Sequence, residues 1–208
     1  MKMPTSACPR APRRRTGAAR APDREAFGKR LRAVRKKAGL TLAEVARRSD
    51  VSITTISRAE RGQLALSYEK FAALAHALNL DLGTLFAEGR QPARLHGPVV
   101  TRAGQGAAYR GPAFTYEFLA TQAAGKRMSP ALGTVHARRI EGPDDFARHD
   151  GEEWIYVLAG SVAVHFEDGQ VVRLGRGDSL YFDSRLGHAY ISTSSRLARI
   201  IGATTSER

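Results

Sequence analysis

The sequence predicts an α + β protein in two parts, an all-α unit followed by an all-β unit. Two observations carry this. Apolar residues recur at helical spacing between Arg24 and Phe86, and from Val99 the period drops to two. Glycine- and proline-rich turns then separate eight short strand-like runs, the pattern of a jelly roll or small barrel. A third observation places the joint: residues 89–98 hold Gly, two Pro and little apolar content. The expected organisation is a basic tail (1–22), a helical domain (23–88), a linker (89–98) and a β domain (99–208).

The helical unit is built around Leu40 to Gly62, read as helix, tight turn, helix. Thr41 supplies a capping oxygen, and Glu44 three residues on completes a capping box. Leu42, Val45 and Ala46 form one apolar face. Ser49, Asp50 and Val51 make the turn, and Ser52 caps the next helix. Ile56 and Ala59 face inward there, which leaves Ile53, Thr54, Thr55, Ser57 and Arg58 on or near the outer face. Short polar side chains with one Arg suit approach to base edges in a major groove. Gly62 is the left-handed stop. Before this hairpin, Arg24 to Lys37 is a basic amphipathic helix with Phe27, Leu31 and Val34 as its apolar stripe. After it come an apolar helix from Ser67 to Leu78 and a last one from Leu80 to Phe86.

Charge is uneven. The net charge is +13. Residues 1–22 hold six Lys/Arg and no acid, 23–88 hold twelve against eight, and 89–208 hold fifteen against twelve. A cationic tail beside a groove-reading unit adds phosphate contacts that carry no sequence information. Lys29 and Arg32 are expected to join it. The tail is rich in Pro, Ala and Arg, lacks periodicity and is expected to be disordered. No apolar run approaches the ~18 residues of a membrane span, and the start has no apolar core region of a secretory signal. The one cysteine, Cys8, has no partner within the chain, which excludes a disulfide framework and fits a reducing cytoplasm.

The runs GKRLRAVRKKAGLTLAEVA, SITTISRAERG and FAALAHALNLDLGTLF resemble the lambda-repressor-like (Xre) helix-turn-helix family. That resemblance implies a five-helix domain, double-stranded operator DNA as partner and a homodimer on a pseudo-palindrome. Leu42 departs from the pattern, since many relatives place there a Gln that braces the reading helix.

The β half carries a second constellation. His149 and Glu153 stand four apart, so they share a face if the strand stays extended through Asp150-Gly151. His188 and Tyr190 share another, and antiparallel pairing would bring the histidines and carboxylate together. The runs ARHDGEEWIYVLAG and GRGDSLYFDSRLGH resemble the two motifs of the cupin family, which implies a jelly-roll barrel. The family's metal ligands map onto His149, Glu153 and His188, while the first His of the usual pair is Ala147. Two His and one carboxylate suit one divalent metal, Fe(II), Zn or Mn. Tyr181 and Tyr190 are expected to line a small-molecule effector pocket, and Trp154, Tyr156 and Leu158 to serve packing. No nucleophile–base pair or phosphate loop stands out. The combined expectation is a cytoplasmic, ligand-responsive transcriptional regulator, a repressor by default and not an enzyme. The alternative is a mononuclear non-haem iron cupin oxygenase or epoxidase with a vestigial helix-turn-helix domain.

Overall fold

A computed structural model of the chain describes residues 24–80, 85, 93–94 and 97–205. The expected basic tail, Cys8, most of the last helix and most of the linker lie outside the described residues. Among the described residues are four α-helices: α1 (Arg24–Lys37), α2 (Leu42–Ser49), α3 (Ile53–Glu60) and α4 (Tyr68–Ala77). Five helices were expected and four stand among the described residues, with Leu85 buried beyond them. Eleven strands follow: β1 (Ala93–Arg94), β2 (Ala107–Arg110), β3 (Phe114–Phe118), β4 (Ala123–Ala124), β5 (Met128–Val135), β6 (Glu152–Ala159), β7 (Val162–Phe166), β8 (Val171–Leu174), β9 (Ser179–Asp183), β10 (His188–Ser192) and β11 (Arg199–Thr205).

The capping box forms as the sequence predicts. Thr41 Oγ1 accepts from the Glu44 amide at 3.2 Å, and the Glu44 carboxylate accepts from the Thr41 amide at 2.7 Å. Asp50 then turns the chain in the left-handed region (φ 54°), a conformation that Asp tolerates. Ser52 Oγ accepts from the Thr55 amide at 3.2 Å and starts α3. Gly62 takes its expected positive φ (71°) just past the end of α3. An ion pair locks α1 to α3. Arg35 donates through Nε and Nη2 to the two Glu60 oxygens at 2.6 and 2.9 Å, and through Nη1 to the Leu40 carbonyl at 2.9 Å. Both side chains are nearly buried, so this fork fixes how α3 sits on α1.

The strands form a six-stranded sheet, β2-β3-β5-β11-β6-β9, facing a three-stranded sheet, β10-β7-β8, and β1 pairs with β4. This is the sandwich expected. Several bounds differ from the sequence expectation. β11 runs to Thr205 because β5 and β6 pair with it on both sides, and the same pairing draws the start of β5 back to Met128. β2 lacks alternation and escaped sequence reading. Phe114, Val135, Ile155, Val157, Val164, Phe182 and Ile200 fill the space between the sheets.

The two halves share apolar contacts. The helical core of Phe27, Leu31, Ile56, Phe71 and Leu74 is completed by Tyr109 of β2 and Phe118 of β3. Phe71 stacks on both Tyr109 and Phe118, each at 5.8 Å between ring centres. Tyr109 also grips the chain between α3 and α4. Its hydroxyl accepts from the Leu66 amide at 2.5 Å and donates to the Leu66 carbonyl at 2.9 Å. Along β3, Phe114, Tyr116 and Phe118 stack at 5.0 and 5.5 Å, a ladder from the barrel interior to the helices.

Candidate metal centre and nucleic-acid surface

The structure brings His149, Glu153 and His188 together. His149 ends a short run in which Ala147 pairs with His188 and the His149 amide donates to the Ser184 carbonyl. The run does not stay extended, as the sequence reading required. Gly151 bends it with φ 91°, and a Cβ there would lie 2.3 Å from the Thr205 carbonyl oxygen. The bend belongs to glycine alone, and it still delivers both side chains to one place. Glu153 on β6 points inward between exposed Glu152 and Trp154, and His188 opens β10.

One potential ligand atom from each of the three residues lies within 4.8 Å of the others. Glu153 Oε2 is 3.2 Å from His149 Nε2 and 3.5 Å from His188 Nε2. The side chains are only 8, 12 and 3% exposed for His149, Glu153 and His188. Each ring is held from behind: Nδ1 of His149 faces the Asp150 carbonyl at 3.3 Å, and Nδ1 of His188 faces the Leu186 carbonyl at 2.8 Å. Carbonyls accept, so each Nδ1 donates backward and each Nε2 faces the centre, where it can donate to Glu153 or, without its proton, bind a metal. That is how metal-binding imidazoles are oriented. The Tyr190 hydroxyl donates to Glu153 Oε1 at 2.6 Å. The donor set therefore fits a divalent transition metal. Burial alone raises the Glu153 carboxyl pKa, but the hydrogen bonds and charges of His149 and His188 outweigh it and bring it down to about 2. Burial, with the charge of Glu153 beside them, pushes the Tyr116 and Tyr190 hydroxyls well above the usual phenol range.

Tyr190 is 7% exposed and bonded to Glu153 at the candidate centre. Tyr181 is not. It sits opposite Trp154 on the outer face of the large sheet and is 61% exposed, because β9 presents Leu180 and Phe182 inward. The pocket expectation for Tyr181 is withdrawn. Trp154, Tyr156 and Leu158 share that outer face and are partly exposed, with the Trp154 and Tyr156 rings 6.5 Å apart. Sequence reasoning missed Tyr116 and Tyr68. Tyr116 packs between Phe114 and Phe118, a period-two aromatic signal visible in FTYEF. Tyr68, the first residue of α4, lies edge-on to the His149 ring at 5.1 Å, and no local pattern marks it.

On the helical side, Ile53, Thr54 and Arg58 are exposed along α3. Thr55 and Ser57 are half-buried and engaged. Thr55 Oγ1 accepts from Ser52 Oγ at 2.9 Å, and Ser57 Oγ accepts from Arg61 at 2.5 Å. Lys29 and Arg32 are exposed on α1, with Lys29 4.0 Å from Glu25. Arg47 and Arg48 are exposed at the end of α2. No described helix is long and apolar enough to cross a membrane.

Comparison with known proteins agrees with both halves. Residues 26–88 match the family described as helix-turn-helix domain, and residues 134–203 match the cupin domain family. The chain thus carries a helix-turn-helix domain followed by a cupin domain. Among solved structures, an HTH_3 family transcriptional regulator from Vibrio cholerae is 20% identical, with a TM-score of 0.66, over 89% of this chain and 98% of that one. This likeness is one of fold. Hydroxypropylphosphonic acid epoxidase from S. wedmorenis is 19% identical over 88% of this chain and 98% of its own, with a TM-score of 0.45. No match was found among curated proteins.

Proposed function

We infer that the protein is a DNA-binding transcriptional regulator whose cupin domain senses a small molecule through a divalent metal. The observation that carries this is the capped, exposed α3, held on α1 by Arg35 and Glu60 and flanked by cationic side chains. Arg58 and Thr54 are the base-contact candidates, and Ile53 offers an apolar surface to a thymine methyl. Thr55 and Ser57 contribute through the cap and through Arg61. Lys29, Arg32, Arg47 and Arg48 supply phosphate contacts, with the basic tail. Repression is the sign of control expected.

The regulator acts as a homodimer, since one small reading head gives limited specificity. The exposed Trp154, Tyr156 and Tyr181, beside Ile201 and Leu132 in register on the same sheet face, support a second copy stacking there. His149, Glu153 and His188 hold the metal, which as a Lewis acid would bind an anionic or carbonyl group of the effector. Tyr190 holds the carboxylate in place.

The same donor set suits a mononuclear iron oxygenase, and this is the second reading. One experiment separates the two. Genomic fragments are selected on the purified protein and sequenced, and its metal content is assayed. Enrichment of one palindromic sequence supports the regulator. One iron per chain with no sequence preference supports the oxygenase.

A further inference from the structure

Tyr68 belongs to the helix-turn-helix half, yet its side chain lies against the cupin site. Its ring packs against His149 at 5.1 Å and against Tyr116 at 5.7 Å. Its hydroxyl is 2.7 Å from Thr204 Oγ1. Thr204 stands on β11 directly opposite Glu153 in the strand register. Tyr68 thus touches one candidate metal ligand and the strand neighbour of another.

The surrounding chain is fastened in the same way. Leu66, two residues earlier, is held through both its backbone groups by the Tyr109 hydroxyl. Glu69, the next residue, is partly buried. The first turn of α4 is therefore seated on the cupin between β2, β11 and the segment leading to His149. The rest of α4 points the other way. Phe71 and Leu74 enter the helical core, and α4 packs on α2, the helix that precedes the reading helix.

We propose that Tyr68, supplied by the DNA-binding half, packs behind the candidate ligands and that through it occupancy of His149, Glu153 and His188 changes the seating of α4 and hence DNA affinity. The proposal rests on the regulator reading above. A metal held by His149, Glu153 and His188 would draw the two rings and the carboxylate together, and an effector reaching it would need room beside His149. Tyr68 covers that ring. It must therefore follow what happens beneath it, and the bond to Thr204 is what holds it down. Tyr68 is a positioning residue, and it transmits because it prefers one state of the site over the other.

The test uses the full chain, an operator duplex selected from genomic fragments, and Co(II) as probe. Visible absorption of bound Co(II) reports occupancy independently of DNA. In the wild-type protein, Co(II) should change the dissociation constant for DNA at least fivefold, the lower range of measured couplings. Tyr68→Phe and Thr204→Val cut the same bond from opposite sides. Each should keep the Co(II) spectrum and metal-free DNA binding but lose most of that change, and the double variant should lose no more than either single one. Unchanged coupling in both variants overturns the proposal, as does a wild-type protein that binds Co(II) and operator without coupling them, or that binds operator and no Co(II). In those three cases the regulator reading stands. Absence of any sequence preference in the wild-type protein removes the regulator reading, and the proposal with it.

Discussion

The Tyr190 hydroxyl donates to Oε1 of Glu153 at 2.6 Å, while Oε2 of the same carboxylate faces both histidines. One oxygen is anchored and the other is presented. Groups that orient a ligand in this way typically govern metal affinity by about 10- to 100-fold. Tyr190→Phe should weaken Zn binding by about tenfold with little change in folding. Competition against a chromophoric chelator measures it. An unchanged affinity would mean that Glu153 needs no anchor.

Acid should selectively erode the site. A carboxyl whose folded pKa lies below its unfolded value stabilises the fold above the unfolded pKa, and that stability is lost as pH falls through the folded one. For Glu153 the window runs from the ordinary value of 4.5 down to about 2. Glu153→Gln has no such contribution to lose. In metal-free protein, the urea-unfolding gap between wild type and Glu153→Gln should be widest above about pH 5 and shrink toward about pH 2. A gap independent of pH would show that the carboxylate is not held by the histidines.

Arg35→Met should destabilise the helical half by about 3–5 kcal/mol, because it leaves the nearly buried Glu60 carboxylate unpaired. The double change Arg35→Met with Glu60→Leu should recover much of that loss. Thermal unfolding of the three variants checks the sign of the recovery. A double variant less stable than Arg35→Met would show that the pair itself, not the orphaned charge, matters.

Trp154→Glu places a charge at the centre of the exposed face formed with Tyr156 and Tyr181. The variant should sediment as a monomer where the wild-type protein sediments as a dimer, with its barrel intact by circular dichroism. A dimeric Trp154→Glu would move the interface elsewhere.

These sites differ in how far the sequence exposes them. Thr41, Glu44 and Ser52 act within three residues of themselves, so the caps and both helices are legible from local spacing. His149 and Glu153 are legible for the same reason, although the route between them runs through the bend at Gly151 and not along a strand. Tyr181 was misplaced because alternation tells which residues share a face, not which face looks inward; Phe182 decides that by packing on Phe166 and His188. Tyr68 was invisible. Its partners, His149 and Thr204, stand far along the chain, and only the docking of α4 on the barrel brings them together.

If α3 reads DNA, the loss of the exposed Arg58 side chain should show it. Fluorescence anisotropy of the wild-type protein and of Arg58→Ala would be measured on the selected operator and on an unrelated duplex, over a range of salt. Arg58→Ala should lose about 1–3 kcal/mol on the operator and little on the unrelated duplex, with a similar salt slope on the latter. Equal losses on both duplexes, or none on the operator, would contradict a reading role for α3.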